Sequence, residues 1–310
     1  CPPDPTAIRL AVQLTRWTIH RSKPRALRYA EMAWRACKSL DLDRWTASNL
    51  RPMVLSQLAK CVEATGGDGE FLIRRAIAEL KTSTGKRERA DTLFLAAAVL
   101  RLKDREQAIE AAGESADHFD ALGDAHNQGR ALVLLASLVE ERGDPLRKSL
   151  DLINRALGLV DFFRDSEQWK IAALIKADLE LMSGNPLEAG EALGWVRGFR
   201  SPSYEIQRVW IEARFHICSD RVDAACRALG HVTESYALQG HQDLLHGALA
   251  DLAVALQKSG RSDLALATAE KVHEYFSRVP DPPLFLNVME QIAENREVSL
   301  GTLQRMWRTG

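Results

Sequence analysis

Basic and aromatic side chains are interleaved in the first part of the chain, in the pairs Arg16-Trp17, Trp34-Arg35 and Arg44-Trp45. Further cations surround the first predicted turn, so that the candidate basic patch consists of Arg16, Arg21, Lys23, Arg25 and Arg28. Cations that neutralise phosphates, beside rings that stack on bases, are typical of nucleic-acid binding. Two alternatives stay open: a dock for an acidic protein surface, and tryptophans that pack between helices while the arginines remain solvated.

Charge is divided unevenly along the chain, which bears on these alternatives. Residues 1–90 hold 17 Lys+Arg against 9 Asp+Glu, a balance of +8. Because the whole chain has 41 against 42, the remaining residues carry −9. Trp34 follows Ala33 on a helix face that otherwise reads as buried, so the sequence favours packing for Trp17 and Trp34. Nucleic acid therefore remains the alternative partner, and a protein is the leading one.

Motifs for catalysis or for cofactor binding are missing from the sequence. It contains no phosphate-binding G-x-x-x-x-G-K-[ST], no dinucleotide-binding G-x-G-x-x-G, no G-x-S-x-G and no H-E-x-x-H. His241 and His246 are five positions apart, whereas zinc ligands on one helix face are four apart. We therefore predict no catalytic residue, no metal site and no cofactor, and a protein that is not an enzyme.

Helical periodicity runs through most of the 310 residues. The clearest case is 116–160, where apolar residues recur three and four apart on both sides of Gly143-Asp144-Pro145. Glycine suits a helix C-terminus and proline the first turn of the next helix, so this stretch predicts an αα-hairpin. On the first helix we expect Leu10, Leu14 and Trp17 to share one face, and near Pro52 we expect an interruption.

Seven such helix pairs follow one another. Each second helix begins with a mostly small apolar residue, at Ala26, Ile73, Ala108, Ser149, Ala189, Ala225 and Ala265. The successive spacings are 47, 35, 41, 40, 36 and 40 residues. A step near 40 is typical of a helical solenoid, and no β-alternating run competes with it. We predict an all-α, right-handed α-α superhelix of about seven hairpins over 1–280, with 281–310 forming capping helices or the start of a linker.

The apolar runs and the cysteines of the sequence predict a protein of a reducing compartment that does not span a membrane. No apolar run approaches the length of a membrane span, and no signal segment is visible. The five cysteines are scattered, which predicts small buried thiols and a cytoplasmic protein. Because the chain starts at Cys1, we expect it to be a processed or excised piece of a longer protein.

Two pairs carry a specific family resemblance. The seventh has Leu249, Leu252, Ala253, Leu256, Gly260, Ala265, Ala269 and Val272, and the fourth has Leu132, Leu135, Ala136, Val139, Gly143, Ser149, Ile153 and Ala156. These residues resemble the tetratricopeptide repeat (TPR). Phe119-x-x-Leu-Gly-Asp124 and Tyr236-Ala-Leu-Gln-Gly-His241 are similar to its long-linker variety in bacterial transcriptional regulators, signalling ATPases and caspase-like protease scaffolds. The resemblance covers about 8–280; Lys176 and Glu212 stand where the family has Leu.

The resemblance implies a non-catalytic scaffold whose first helices line a groove for a protein or peptide. Its groove positions fall on Arg130, Val133, Ser137, Glu140 and Glu141 in the fourth pair, and on Gly247, Ala250, Val254, Gln257 and Lys258 in the seventh. Mixed charges and small residues suit a peptide held by side-chain hydrogen bonds. Equally, the groove could hold another domain of the same chain. We predict a regulatory or sensor module of a larger protein.

Overall fold

The computed structural model describes residues 5–19, 21–39, 43–159, 166–198, 204–277, 286–294 and 298–308. Within these ranges all regular structure is helical. The helices are α1 (Pro5–Thr18), α2 (Lys23–Ser39), α3 (Arg44–Ala64), α4 (Glu70–Glu79), α5 (Lys86–Leu100), α6 (Arg105–Ala121), α7 (Ala125–Glu141), α8 (Leu146–Leu159), α9 (Glu167–Ser183), α10 (Pro186–Trp195), α11 (Glu205–Cys218), α12 (Val222–Gln239), α13 (Gln242–Lys258), α14 (Ser262–Phe276), α15 (Leu286–Ala293) and α16 (Leu300–Trp307).

The small residues that define the repeat step are all buried. Ala26, Ile73, Ala108, Ser149, Ala189, Ala225 and Ala265 are each at most 1% exposed. Small side chains at these positions let the two helices of a pair approach closely, so that larger neighbours fill the space around them. The all-α superhelical repeat fold predicted from the sequence is confirmed.

Two compact units divide the chain. The first comprises residues 1–144 with 158–160, and the second comprises 145–157 with 161–310. In the first unit, α1–α2, α3–α4 and α5–α6 pack as hairpins, and α1, α3, α5 and α7 form a layer in which neighbours touch. In the second unit, α9–α10, α11–α12 and α13–α14 pack as hairpins, and α9, α11 and α13 form the corresponding layer.

The turns after α7, α9 and α13 carry a glycine in the left-handed conformation, and the turn after α11 carries an aspartate there. Gly143, Gly184 and Gly260 have positive φ angles, which a residue without Cβ adopts at little cost. At the matching turn between α11 and α12, Asp220 takes a φ of 56°. An aspartate tolerates this conformation better than most side chains, so the repeat step is preserved there without glycine.

The first helix buries a different face from the predicted one. Leu10 and Trp17 are 60% and 61% exposed, whereas Ile8, Val12 and Thr15 are buried. The buried Thr15 hydroxyl is not left without a hydrogen bond, because it donates to the carbonyl of Ala11 at 2.8 Å. The predicted interruption near Pro52 was also wrong: α3 runs through it, held by contacts with α1, α2, α4 and α5.

The C-terminal helices α15 and α16 lie where the sequence predicts two short helices. α15 packs against α13 and α14, and α16 packs against α9 and α15. The division of the chain into a repeat array over 1–280 and a terminal segment over 281–310 stays a prediction.

Candidate functional site

The predicted groove residues of α7 have their own partners within the first unit. The Arg130 guanidinium lies 4.9 Å from the ring centroid of Phe94 and donates to Oδ1 of Asn127 at 3.0 Å. Glu141 accepts from Arg101, with 2.9 Å between Nε and Oε2. The Ser137 hydroxyl donates to the carbonyl of Val133 at 3.3 Å, inside its own helix. Glu140, like these residues, is half-buried. Of the predicted groove residues on α7, Arg130 is therefore the one that lies against an aromatic ring.

The predicted groove residues of α13 behave differently from one another. Lys258 is exposed and Gln257 is half-buried, whereas Ala250 and Val254 are at most 1% exposed. A Cβ on Gly247 would lie 3.2 Å from the ring of Trp210. Protein atoms therefore already cover part of this face. The α7 and α13 positions belong to different units, and each set is described by itself.

The basic patch splits into an inward and an outward part. Arg16 pairs with Asp91 of α5 at 3.0 Å, while Lys23, Arg25 and Arg28 are exposed. Arg21 lies 4.0 Å above the ring of the exposed Trp17, so packing of Trp17 between helices was wrong. Trp34 does pack, against three hydrophobic clusters. The side chains of Arg44 and Trp45 lie outside the described residues.

Lys60 of α3 is the cation that the sequence analysis missed. It is half-buried, and burial lowers the pKa of its ammonium group, as do the charges of Arg130 and Arg16. Among the described residues no carboxylate forms a salt bridge with Lys60, whereas Arg16, whose charge acts on it, is paired with Asp91. In the first unit, the charges of Arg16 and Arg130 act on the ammonium group of Lys60. We call these three residues the cationic face.

The cationic face is well suited to hold an anion. Partly desolvated cations attract an acidic group more strongly than solvated ones, because water screens the attraction less. Phe94 beside Arg130 supplies an apolar surface for the rest of a ligand. Nothing in the sequence flagged Lys60, since a lysine on a helix that also carries Arg51 and Glu63 has the pattern of a solvated residue.

A second polar group, called the Asp251 cluster, lies in the second unit and consists of Asp178, Trp210, Arg214, Asp251 and Trp307. Asp251 is fully buried. Its Oδ2 accepts from Nε1 of Trp210 at 2.6 Å and from Nε of Arg214 at 2.8 Å. Its Oδ1 accepts from Nε1 of Trp307 at 2.6 Å. A buried carboxylate of this kind persists only when charged and polar donors surround it.

Arg214 joins the cluster to the next inner helix. Besides Asp251 it contacts Asp178 of α9, with 3.0 Å between Nη1 and Oδ1. Its guanidinium lies 5.0 Å from the Trp210 ring centroid and 5.4 Å from that of Trp307. Burial opposes the charged form, but Asp251 and Asp178 outweigh it and raise the pKa of Arg214. Arg214 is therefore a permanent cation between two carboxylates and two indoles.

The described residues hold no group of three or more His, Cys, Asp and Glu side chains arranged for a metal ion. Nowhere in the described ranges does a helix have both the length and the apolar run that crossing a bilayer requires.

Comparison with known proteins places the fold. No protein-family model matches the sequence, and no curated protein matches it either. Among solved structures, a Rap protein complexed with Competence and Sporulation Factor superposes with a TM-score of 0.64 at 11% identity, covering 94% of this chain and 82% of that one. The fold is that of a tetratricopeptide-repeat array.

Two further structures agree with this assignment. The apo form of the quorum sensor NprR from B. thuringiensis has a TM-score of 0.58 at 12% identity, over 93% of this chain and 88% of that one. A signal transduction ATPase with a tetratricopeptide-repeat sensor from Pyrococcus horikoshii has a TM-score of 0.53 at 13% identity, over 93% of this chain and 51% of that one. At such identities the likeness concerns the fold alone.

Proposed function

We propose that this chain is a protein- or peptide-binding scaffold whose cationic face takes an acidic segment of its partner. The observation that carries the proposal is Lys60, a half-buried cation without a salt-bridge partner among the described residues. A desolvated, unpaired charge destabilises a fold, so a chain that retains one has a use for it. The charges of Arg130 and Arg16 also act on Lys60 and lower its pKa, although Arg16 is itself paired with Asp91.

The solved structures with this fold support the same class of function. One is a Rap protein in complex with Competence and Sporulation Factor, and another is described as a quorum sensor. Applied to this chain, they favour a non-catalytic sensor or regulatory module, which acts in the cytoplasm and whose partner is another protein or another part of the same protein. The groove residues Ser137, Glu140 and Glu141 lie on the same helix as Arg130 and would contact the partner backbone.

The test is a peptide array that varies the number and spacing of Asp and Glu, probed with the full chain. We expect binding to rise with acidic content and to fall with salt, because dissolved ions screen the attraction between the acidic peptide and the cationic face. Lys60→Glu should abolish the signal, whereas Lys86→Glu, which reverses an exposed lysine at the start of α5, should leave most of it. Equal binding by both variants, or no binding by the wild-type chain, contradicts the proposal.

A second candidate function is nucleic-acid binding by the outward part of the basic patch. Lys23, Arg25 and Arg28 are exposed next to the Arg21–Trp17 stack, an arrangement that suits phosphates and an unpaired base. Charge reversal at Arg21, Lys23, Arg25 and Arg28 should then lower both affinity for single-stranded RNA and its salt dependence. Unchanged binding after the reversal rules this candidate out.

A further inference from the structure

The helix α16 occupies the inner layer of the second unit in the manner of a bound peptide. Its Leu303, Met306 and Trp307, spaced along one helix face, are at most 4% exposed. Its Arg308 donates to the carbonyl of Met182 in α9 at 3.3 Å. A Cβ on Gly184 would lie 2.7 Å from Nε2 of Gln304, so the end of this α16 side chain lies directly against the turn after α9. Apolar anchors and hydrogen bonds to the scaffold are the features of a helix lying in a groove.

Asp251 divides its two oxygens between the scaffold and this helix. Oδ2 accepts both scaffold donors, Trp210 and Arg214 of α11. Oδ1 accepts from Trp307 of α16. The carboxylate is therefore held in place by the scaffold alone and presents a prepared acceptor to one indole. Arg214, at 5.4 Å from the Trp307 ring, adds a cation beside the same indole.

The stability of α16 comes from this site. The helix has eight residues, and an isolated helix of that length is unstable in water. Residues 294–299 separate it from α15, and although α16 touches α15, the main contacts of α15 are with α13 and α14 and remain when α16 leaves its place. A segment with these properties can exchange with a competitor that offers the same side chains.

We propose that the face of α9, α11 and α13 around Asp251 is a tryptophan-specific peptide site, that α16 is its resident occupant, and that a partner segment carrying tryptophan on an apolar helix face displaces α16. The recognition elements are the indole N–H for Oδ1 of Asp251 and two apolar anchors, one and four positions before the tryptophan. This site lies in the second unit and is independent of the cationic face.

The probe is a fluorescent synthetic peptide of residues 298–308, added to the full chain and followed by anisotropy. In the wild-type chain the tethered α16 competes at an effective concentration of about millimolar, so the peptide binds weakly. In the full chain with Trp307→Ala the resident helix is weakened, and we expect the peptide to bind at least about tenfold more tightly. The peptide with its own tryptophan replaced by alanine should not bind. Leu187→Ala, at a residue 88% exposed on α10, is the matched control and should behave like the wild-type chain.

A measurement on the unmodified protein covers the case in which Trp307→Ala fails to fold. Hydrogen exchange should show α16 opening while α9, α11 and α13 stay protected, and saturating peptide should speed exchange in α16 only. The proposal is overturned if α16 exchanges only together with α13. It is equally overturned if the Trp307→Ala chain, once shown to be helical, binds the peptide no more tightly than the wild-type chain.

The outcomes for the two sites are separable. The 298–308 peptide carries Arg305 and Arg308 and no acidic residue, so the cationic face would not attract it. An acidic peptide without tryptophan should leave exchange of α16 unchanged. Failure of the acidic peptide alone contradicts the proposed function, and failure of the 298–308 peptide alone contradicts the tryptophan site.

Discussion

Trp307 donates its indole N–H to the buried carboxylate of Asp251, across 56 positions of sequence and at 2.6 Å. This bond joins the last described helix to the middle of α13. It places a charged group, an aromatic ring and a helix end in one cluster whose integrity can be measured.

Replacing Asp251 by Asn should destabilise the second unit. Arg214 would keep Asp178 but lose its closer carboxylate partner, leaving a buried cation incompletely neutralised. Removal of one partner from a buried ion pair costs about 3 kcal/mol in free energy of unfolding, measurable by urea titration. Asp223→Asn, whose pair with Arg261 is largely exposed, should leave the unfolding midpoint nearly unchanged. Equal effects of the two substitutions would contradict the role given to Asp251.

Replacing Lys60 by Met should stabilise the protein at neutral pH while weakening the binding of acidic peptides. The lysine pKa is lowered in the folded state, so its charged form costs stability below the folded pKa. The gain from Lys60→Met should be about 1 kcal/mol at pH 7, as for other substitutions that trade function for stability. It should shrink as pH rises toward the ordinary lysine value of 10.5, because the wild-type ammonium then loses its proton. A gain that is constant over this range would show that the charge is not the cause.

Enlarging a small repeat residue should disturb the packing inside a hairpin. Ala108, fully buried at the start of α6, has no room for a longer side chain. Ala108→Leu should lower the free energy of unfolding by about 1–3 kcal/mol, the usual cost of overpacking. Ala98→Leu, at an exposed position of α5, should have little effect. If both alanines accept leucine equally well, close approach of α5 and α6 is not what Ala108 provides.

The buried thiols should be inert until the protein unfolds. Burial raises the pKa of Cys37 and of Cys61 to about 11 in each case, so hardly any thiolate is present at pH 8. Iodoacetamide should label both cysteines slowly in the native protein and rapidly in denaturant, as followed by mass spectrometry. Rapid labelling of Cys37 or Cys61 under native conditions would contradict the packing of α2 against α3.

The sequence predicted which residues are buried where the same position recurs in successive helix pairs. The seven residues from Ala26 to Ala265 were found because the second helix of each pair repeats a buried position near its start, which is alanine in five of the seven pairs. The prediction failed on α1, where two faces are apolar and the buried one includes Thr15. Threonine counts as polar when a sequence is interpreted, but the Thr15 hydroxyl donates to a carbonyl of its own helix, so the side chain can be buried like an apolar one.

The charged centres could not be predicted in the same way. Lys60 and Asp251 stand on helices that carry other charged residues, such as Arg51 and Lys258, so nothing in the sequence sets them apart. Their burial depends on which other helices pack around them, and for Asp251 the donors come from α11 and α16. The role of Arg130 as a groove residue stays a prediction, and its stacking on Phe94 depends on contact between α5 and α7, which the sequence does not show.

The most direct test of the scaffold function is calorimetric titration of the best acidic peptide from the array into the wild-type chain and into Lys60→Met. The account predicts that the variant, although the more stable protein, binds about tenfold or more weakly, since one charge-assisted contact is lost. Equal affinity in the two proteins would contradict the claim that the cationic face receives the partner.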